Sequence, residues 1–232
     1  LPYYGYMGWY NDVIRQLAPR QRTCSDEQLL ALSSAYSEAA ISLLNNNRGF
    51  ADTAQLFQLP ARQPSLTAQQ IAQYQVLKKN SIHCLEVLAE RSPAMTTRVG
   101  SIRTKSANEV MSHFLTMWQY QDLATAMKQL QRGLYDTWQL QSARNILRSC
   151  PPDAVLMTYG DTDTYTLLYV QATEDLRTDV LVVNSSLLQT PRYYSAVVKG
   201  MFKGSSPLAT LLPDYFFENT TILFPGGQNA HK

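Results

Sequence analysis

The chain has 232 residues, 45% of them hydrophobic, which is enough to bury one sizeable core or two modest ones and excludes a disordered protein. Lys and Arg number 20 against 18 Asp and Glu, a net charge of +2 that points to no polyanionic partner. The basic residues fall in short groups, Arg15 with Arg20 and Arg22, Lys78 with Lys79, and Arg98 with Arg103 and Lys105, which read as solvated faces and not as a nucleic-acid footprint.

No apolar run approaches the roughly 20 residues needed to cross a bilayer, so no membrane span is expected in this chain. Cys24, Cys84 and Cys150 lie far apart and match neither a metal site nor a disulfide scaffold. One bridged pair with an odd thiol and three reduced thiols are both allowed. The chain starts at Leu1-Pro2 without a methionine, which suggests a processed or trimmed product and an exported origin.

The aromatic stretch Tyr3 to Tyr10 runs into Val13, Ile14 and Leu17 at helical spacing, predicting a short helix that ends before Pro19, with the aromatic residues packed as core. Ser25-Asp26-Glu27-Gln28 has the form of a capping box. Leu29, Leu32, Tyr36, Ala39, Ala40 and Leu43 then follow at threes and fours as an amphipathic helix, which Asn45 to Gly49 stops. A polar, proline-bearing connection leads to Thr67, and part of it, Ala51 to Phe57, is predicted as a short helix. Ile71, Tyr74, Leu77, Ile82, Leu85 and Leu88 mark a second long helix between Thr67 and Arg91, closed by Ser92-Pro93. Further helices are predicted from Val99 to Met117, Tyr120 to Leu130 and Asp136 to Arg148. Leu29, Leu32, Ser33 and Tyr36 resemble the first helix of a tetratricopeptide repeat, and Leu85, Leu88 and Pro93 resemble the end of a second, without a regular 34-residue period.

After Cys150-Pro151-Pro152 the pattern changes. Ala154 to Tyr159 reads as a buried strand, Thr164 to Asp175 as a helix, and Val180 to Val183 as a second strand. This is a βαβ unit with parallel strands and a right-handed crossover. A helix near Arg192 to Phe202 and a strand near Thr221 to Phe224 are expected to extend it. The fold class is therefore mainly α. Irregular tetratricopeptide-like hairpins occupy residues 1–149, and a small α/β unit with a parallel sheet occupies residues 150–232.

Ligands of open α/β sheets bind at the carboxyl ends of strands. Two such ends are predicted, Gly160-Asp161-Thr162-Asp163-Thr164 and Asn184-Ser185, which neighbouring strands would bring into one crevice. Their oxygens suit Mg²⁺ or Ca²⁺, and Asp161 or Asp163 would serve as base or nucleophile. The same residues also suit a plain helix start, since Asp and Thr cap helices and Gly160 permits a tight turn. His83, His113 and His231 lack metal-ligand spacing, and no nucleophile elbow, P-loop or dinucleotide fingerprint is present. Asn184 and Asn219 head glycosylation-type triplets, the first at a strand end where burial is expected.

Asp161-Thr162-Asp163 after a strand resembles the start of the haloacid-dehalogenase phosphohydrolases. However, Tyr165 stands where that family has threonine, and no late acidic pair follows. The short Asp-x-Asp also resembles that of sugar-nucleotide glycosyltransferases. A longer likeness covers Ala154 to about Leu208. Gly160-Asp161-Thr162-Asp163-Thr164-Tyr165, Leu168 to Gln171, Arg177-Thr178-Asp179-Val180 and Val182 to Leu188 are similar to a soluble segment of bacterial multi-spanning proteins of unknown function related to protein O-mannosyltransferases. Thr162 stands where Asn is usual there, and the chain has no membrane helices in which sugar transfer would occur. The resemblance implies a bacterial cell-envelope domain without the transferase activity. The expectation is a non-catalytic, exported binding or scaffold protein in which the helical hairpins provide a groove for a protein or glycan partner and the α/β unit completes the fold. The alternative is a metal-assisted hydrolase or transferase that uses Asp161 and Asp163 on a phosphorylated or glycosylated substrate.

Overall fold

Two reciprocal caps start the long helices. The Ser25 hydroxyl accepts from the Gln28 N–H at 3.3 Å while the Gln28 amide oxygen accepts from the Ser25 N–H at 3.1 Å, and Thr67 and Gln70 repeat the arrangement at 3.2 and 2.9 Å. These boxes satisfy donors that a helix start leaves unpaired. The computed structural model describes residues 8–45, 58–60, 66–188, 190–202, 204 and 221–223. In chain order they form α1 (Trp9–Leu17), a 3₁₀ turn (Ala18–Thr23), α2 (Asp26–Asn45), β1 (Gln58–Pro60), α3 (Ala68–Arg91), β2 (Thr96–Thr97) and β3 (Gly100–Ser101). Then come α4 (Ile102–Tyr120), α5 (Leu123–Met127), α6 (Thr137–Ser149), β4 (Val155–Thr158), α7 (Asp161–Glu174), β5 (Leu181–Asn184), α8 (Pro191–Lys199) and β6 (Thr221–Leu223).

The protein is mainly helical, with short strands. Helices α2 and α3 pack along one another, α1 leans on α2, and α4 lies against α3, α7 and α8. One apolar cluster holds Val13, Leu17, Leu29, Leu32, Leu85 and Leu88, with Trp9 and Tyr10 packed against it. The earlier residues of the aromatic stretch lie outside the described residues. A second cluster contains Ala40 and Tyr74 together with Phe114, Leu147, Leu168 and Val183, so apolar packing is continuous across residue 149.

Several elements differ from the sequence expectation. The predicted helix from Tyr120 to Leu130 reduces to α5, because α4 runs on to Tyr120 and Asp122 then caps a new start by accepting from the Thr125 N–H at 2.7 Å. A two-residue hairpin, β2 with β3, precedes α4. The predicted helix from Ala51 to Phe57 lies outside the described residues. β6 does not extend the C-terminal sheet; it pairs antiparallel with β1, Leu59 opposite Ile222. The βαβ unit forms as expected, with β4 and β5 parallel and Val155 opposite Leu181 through Thr158 opposite Asn184. All three cysteines are free, and burial pushes the Cys84 thiol up to about 12, with the neighbouring Cys24 adding to the shift.

The Lys78-Lys79 pair is not a solvated face. Lys79 is exposed, but Lys78 is 1% exposed and forms an ion pair with Glu109 of α4, with Ser37 3.4 Å and Ser112 3.5 Å from its ammonium. Burial, the largest influence on Glu109, pushes its pKa up. The charge and hydrogen bond of Lys78, with help from Ser37 and Lys105, outweigh burial and hold it below the usual range. Removing one member of a buried pair strands the other. Glu109→Ala is therefore expected to cost about 3–5 kcal/mol in urea unfolding, whereas Lys78→Met with Glu109→Leu costs much less.

His113 is buried beside Tyr74, ring centroids 5.5 Å apart, and its Nε2 has no partner among the described residues. Burial holds its pKa down to about 4, with Lys78 and Lys79 opposing protonation further and Glu109 acting the other way. An unfolded histidine titrates near 6.5, so between those values the unfolded chain binds more protons than the folded one. The stability owed to neutral His113 is thus complete above about pH 6.5 and is lost as pH falls toward 4, by about 3 kcal/mol. His113→Phe should flatten that part of a stability-versus-pH curve measured by denaturant unfolding.

Candidate functional site

The chain leaves β4 through Gly160, whose φ of 84° and ψ of 169° belong to a region that side chains other than glycine's rarely enter. This reversal lets α7 begin at Asp161, three residues before the predicted start. Gly160 is the N-cap and no side chain caps the helix, so neither aspartate plays the capping role expected of it. Both lie in the first turn, where negative charge suits the helix dipole.

The short polar side chains at the two strand ends turn onto backbone. The Thr164 hydroxyl donates to the Gly160 carbonyl at 2.7 Å and lies 2.8 Å from the Thr158 hydroxyl. The Asn184 amide donates to the same Gly160 carbonyl at 3.3 Å, and its oxygen accepts from the Ser186 N–H at 2.9 Å. Ser185 donates to the Thr158 carbonyl at 2.8 Å. The structure therefore brings Gly160, Thr164, Asn184 and Ser185 together at the carboxyl edge and ties them to one another. Asn184 is fully buried, as expected of a strand end, which removes it as a glycosylation acceptor.

Asp161, Thr162 and Asp163 separate. Residues two apart on a helix point about 200° from one another. Asp161 is exposed at the helix start, yet desolvation of its carboxyl raises its pKa; the Tyr165 hydroxyl lowers it, Glu109 raises it, and Lys105 and Lys78 lower it. Thr162 accepts from the Asn108 amide of α4 at 3.1 Å, and the Tyr135 hydroxyl donates to the other end of that amide at 3.0 Å. Asp163 faces a different space, a groove between α6 and β4. Among the described residues, no three His, Cys, Asp or Glu side chains gather as a metal site.

That groove encloses about 440 Å³ and is lined by Trp138 and Ile146 of α6, Met157 and Tyr159 at β4, and Asp163 and Leu167 of α7. Trp138 and Tyr159 are each 78% exposed, Met157 53% and Ile146 43%. The sequence reading missed it because Ala154 to Tyr159 looks uniformly apolar, as a buried strand would. In the structure Val155 and Met157 alternate outward, and β4 pairs only with β5 among the described residues. The available signal was Trp138. It lies outside the inward row Leu140, Ala143 and Leu147 of its own helix.

One side chain ties together the chain ends beside the groove. Arg177, at a φ of 51°, donates to both carboxylate oxygens of Asp179 at 2.8 Å, to the carbonyls of Leu147 and Cys150 at 2.9 Å, and to that of Pro151 at 2.9 Å. All five guanidinium hydrogens are engaged. Asp179 in turn accepts from the Asp153 N–H at 3.1 Å, and its pKa falls to about 2, chiefly through the Arg177 bond. The Arg177-Thr178-Asp179 triplet thus joins the end of α6 to the start of β5.

What these residues define is a βαβ unit clamped to the helix before it. Residues 139–222 match the family model described as TMEM260-associated domain 2, so the C-terminal part of the chain is similar to a TMEM260-related domain. The matched span begins inside α6 and includes the Gly160 turn, the Arg177 clamp and most of the groove. No curated protein and no solved structure matches the chain.

Lysine cannot reproduce a planar five-donor fork. Arg177→Lys is expected to lower the melting temperature by several degrees, and hydrogen exchange should quicken at the last turn of α6 before it quickens in α2 or α3.

Proposed function

We propose that this chain is a non-catalytic binding or scaffold protein of the bacterial cell envelope, whose groove between α6 and β4 receives a protein or glycan partner. The observation that carries this reading is the convergence of Trp138, Ile146, Met157 and Tyr159, all exposed, on one depression. Single exposed apolar residues are ordinary, whereas a shared patch marks an interaction surface. The envelope assignment draws on the likeness of Ala154 to about Leu208 to soluble segments of bacterial membrane proteins. The family match over residues 139–222 falls on largely the same stretch. TMEM260 itself is an O-mannosyltransferase, and what is carried over here is the associated domain, not that activity.

The competing reading, a metal-assisted hydrolase or transferase, needs Asp161 and Asp163 to share a substrate or ion. Their divergence on α7 works against it. Titration calorimetry with Mg²⁺ and with Ca²⁺ separates the two. The binding-protein reading expects no saturable heat from the wild type and no difference in the Asp161→Asn, Asp163→Asn double variant. Saturable metal binding that the double variant abolishes while remaining folded would establish the competing reading instead.

A further inference from the structure

The groove's chemistry narrows its occupant. We infer that it binds a neutral saccharide, an inference that rests on the binding-protein reading and names the ligand class for the same site. Trp138 in the first turn of α6 and Tyr159 just past β4 both border the groove and keep 78% of their surface in water. Rings of this size gain a great deal when a flat apolar face covers them, and the C–H face of a pyranose is such a surface.

Polar groups lie within reach of the same space. Asp163 and Ser142 line the groove and have no hydrogen-bond partner among the described residues, whereas Thr162 is already engaged with Asn108. An ionised carboxylate accepts only, so Asp163 suits a ligand rich in hydroxyl donors. Among the described residues no Lys, Arg or His lines the groove and none pairs with Asp163, whose charge repels phosphate, sulfate or uronate groups. A volume of about 440 Å³ falls within the range of small-molecule pockets, roughly 300–1,000 Å³.

The rival occupant is an extended peptide added to the edge of β4 that pairs with no strand among the described residues. It would bind mainly through backbone hydrogen bonds and depend little on the two rings.

The test is titration calorimetry of the full chain with three neutral probes, maltotetraose, cellotetraose and mannotetraose. Glucose 6-phosphate and an eight-residue peptide of alternating Val and Lys serve as contrasts. At least one neutral tetrasaccharide is expected to bind saturably. Trp138→Ala and Tyr159→Ala should each weaken it about tenfold, Trp138→Phe should keep most of the affinity, and Asp163→Asn should weaken it severalfold. Since both rings are exposed, the melting temperatures of these variants should match the wild type, which separates lost binding from lost fold. Glucose 6-phosphate should not bind.

The inference is overturned if none of the three tetrasaccharides binds up to about 10 mM, or if binding is indifferent to both ring variants. Peptide binding without saccharide binding also overturns it while leaving the binding-protein reading intact. That reading fails on a different result, the Asp-dependent metal binding described above.

Discussion

The C-terminal part of the molecule depends on the Arg177 guanidinium. A helix end leaves carbonyls without partners, and α6 ends where the chain must turn sharply into β4. Arg177 supplies donors to Leu147, Cys150 and Pro151 from the far side of the βαβ unit, while Asp179 holds the guanidinium in plane. Its left-handed backbone conformation is offset by this set of bonds. Between α6 and α7 themselves runs the bidentate pair of Arg144 with Glu174, at 2.8 and 2.7 Å, on the surface where such pairs contribute little. The clamp holds the end of α6 beside the start of β5, and the groove lies between α6 and β4.

A second polar device orders the helical half. Ser33 and Ser37 of α2, Lys78 and Ser81 of α3, and Glu109 and Ser112 of α4 meet where these three helices pack. The Ser33 and Ser81 hydroxyls lie 3.0 Å apart, and Ser81 lies 3.3 Å from Glu109. Polar side chains about one turn apart on each helix favour one axial register for the ion pair, because a shift of one turn would strand a charge among apolar side chains. Apolar stripes alone specify register weakly, since Leu packs nearly as well against Leu one turn away. The polar cluster also reaches toward the first turn of α7, where Lys78 and Glu109 act on the titration of Asp161. Asp161 is therefore linked electrostatically to the helical half.

What the sequence revealed follows from how local each signal is. Capping boxes act across three residues, so Ser25 with Gln28 and Thr67 with Gln70 could be read directly, as could the two apolar runs that became β4 and β5. The burial of Lys78 was not legible, because it depends on Glu109 thirty-one positions away. Nor was the exposed side of β4. An unbroken apolar run carries no alternation, and only the packing shows that about half the surface of Val155 and Met157 is exposed. The start of α7 was placed late because Asp-Thr-Asp looks like a loop, whereas Gly160 completes the reversal in a single residue. The strand near Thr221 was legible as a strand, but its pairing with Gln58–Pro60 was not, since long-range partners leave no local mark.

The candidate site therefore moved rather than vanished. The sequence pointed to the carboxyl edge of the sheet as a crevice of oxygen ligands, and in the structure those oxygens are largely spent on one another. Thr158, Thr164, Asn184 and Ser185 saturate the backbone at the two strand ends, which leaves little hydrogen-bonding capacity there for a ligand. Helical geometry then divides what remains, sending Asp161 toward α4 and Asp163 into the groove. A lone carboxylate beside two solvent-facing rings is poorly suited to hold a divalent ion, which seeks six or more oxygens. It is well suited to orient a ligand that brings its own hydroxyls. The same Asp-x-Asp spacing that suggests paired chemistry on a loop becomes, once it lies on a helix, a way of placing one acid in the field of Lys78 and Glu109 and the other in the groove beside α6.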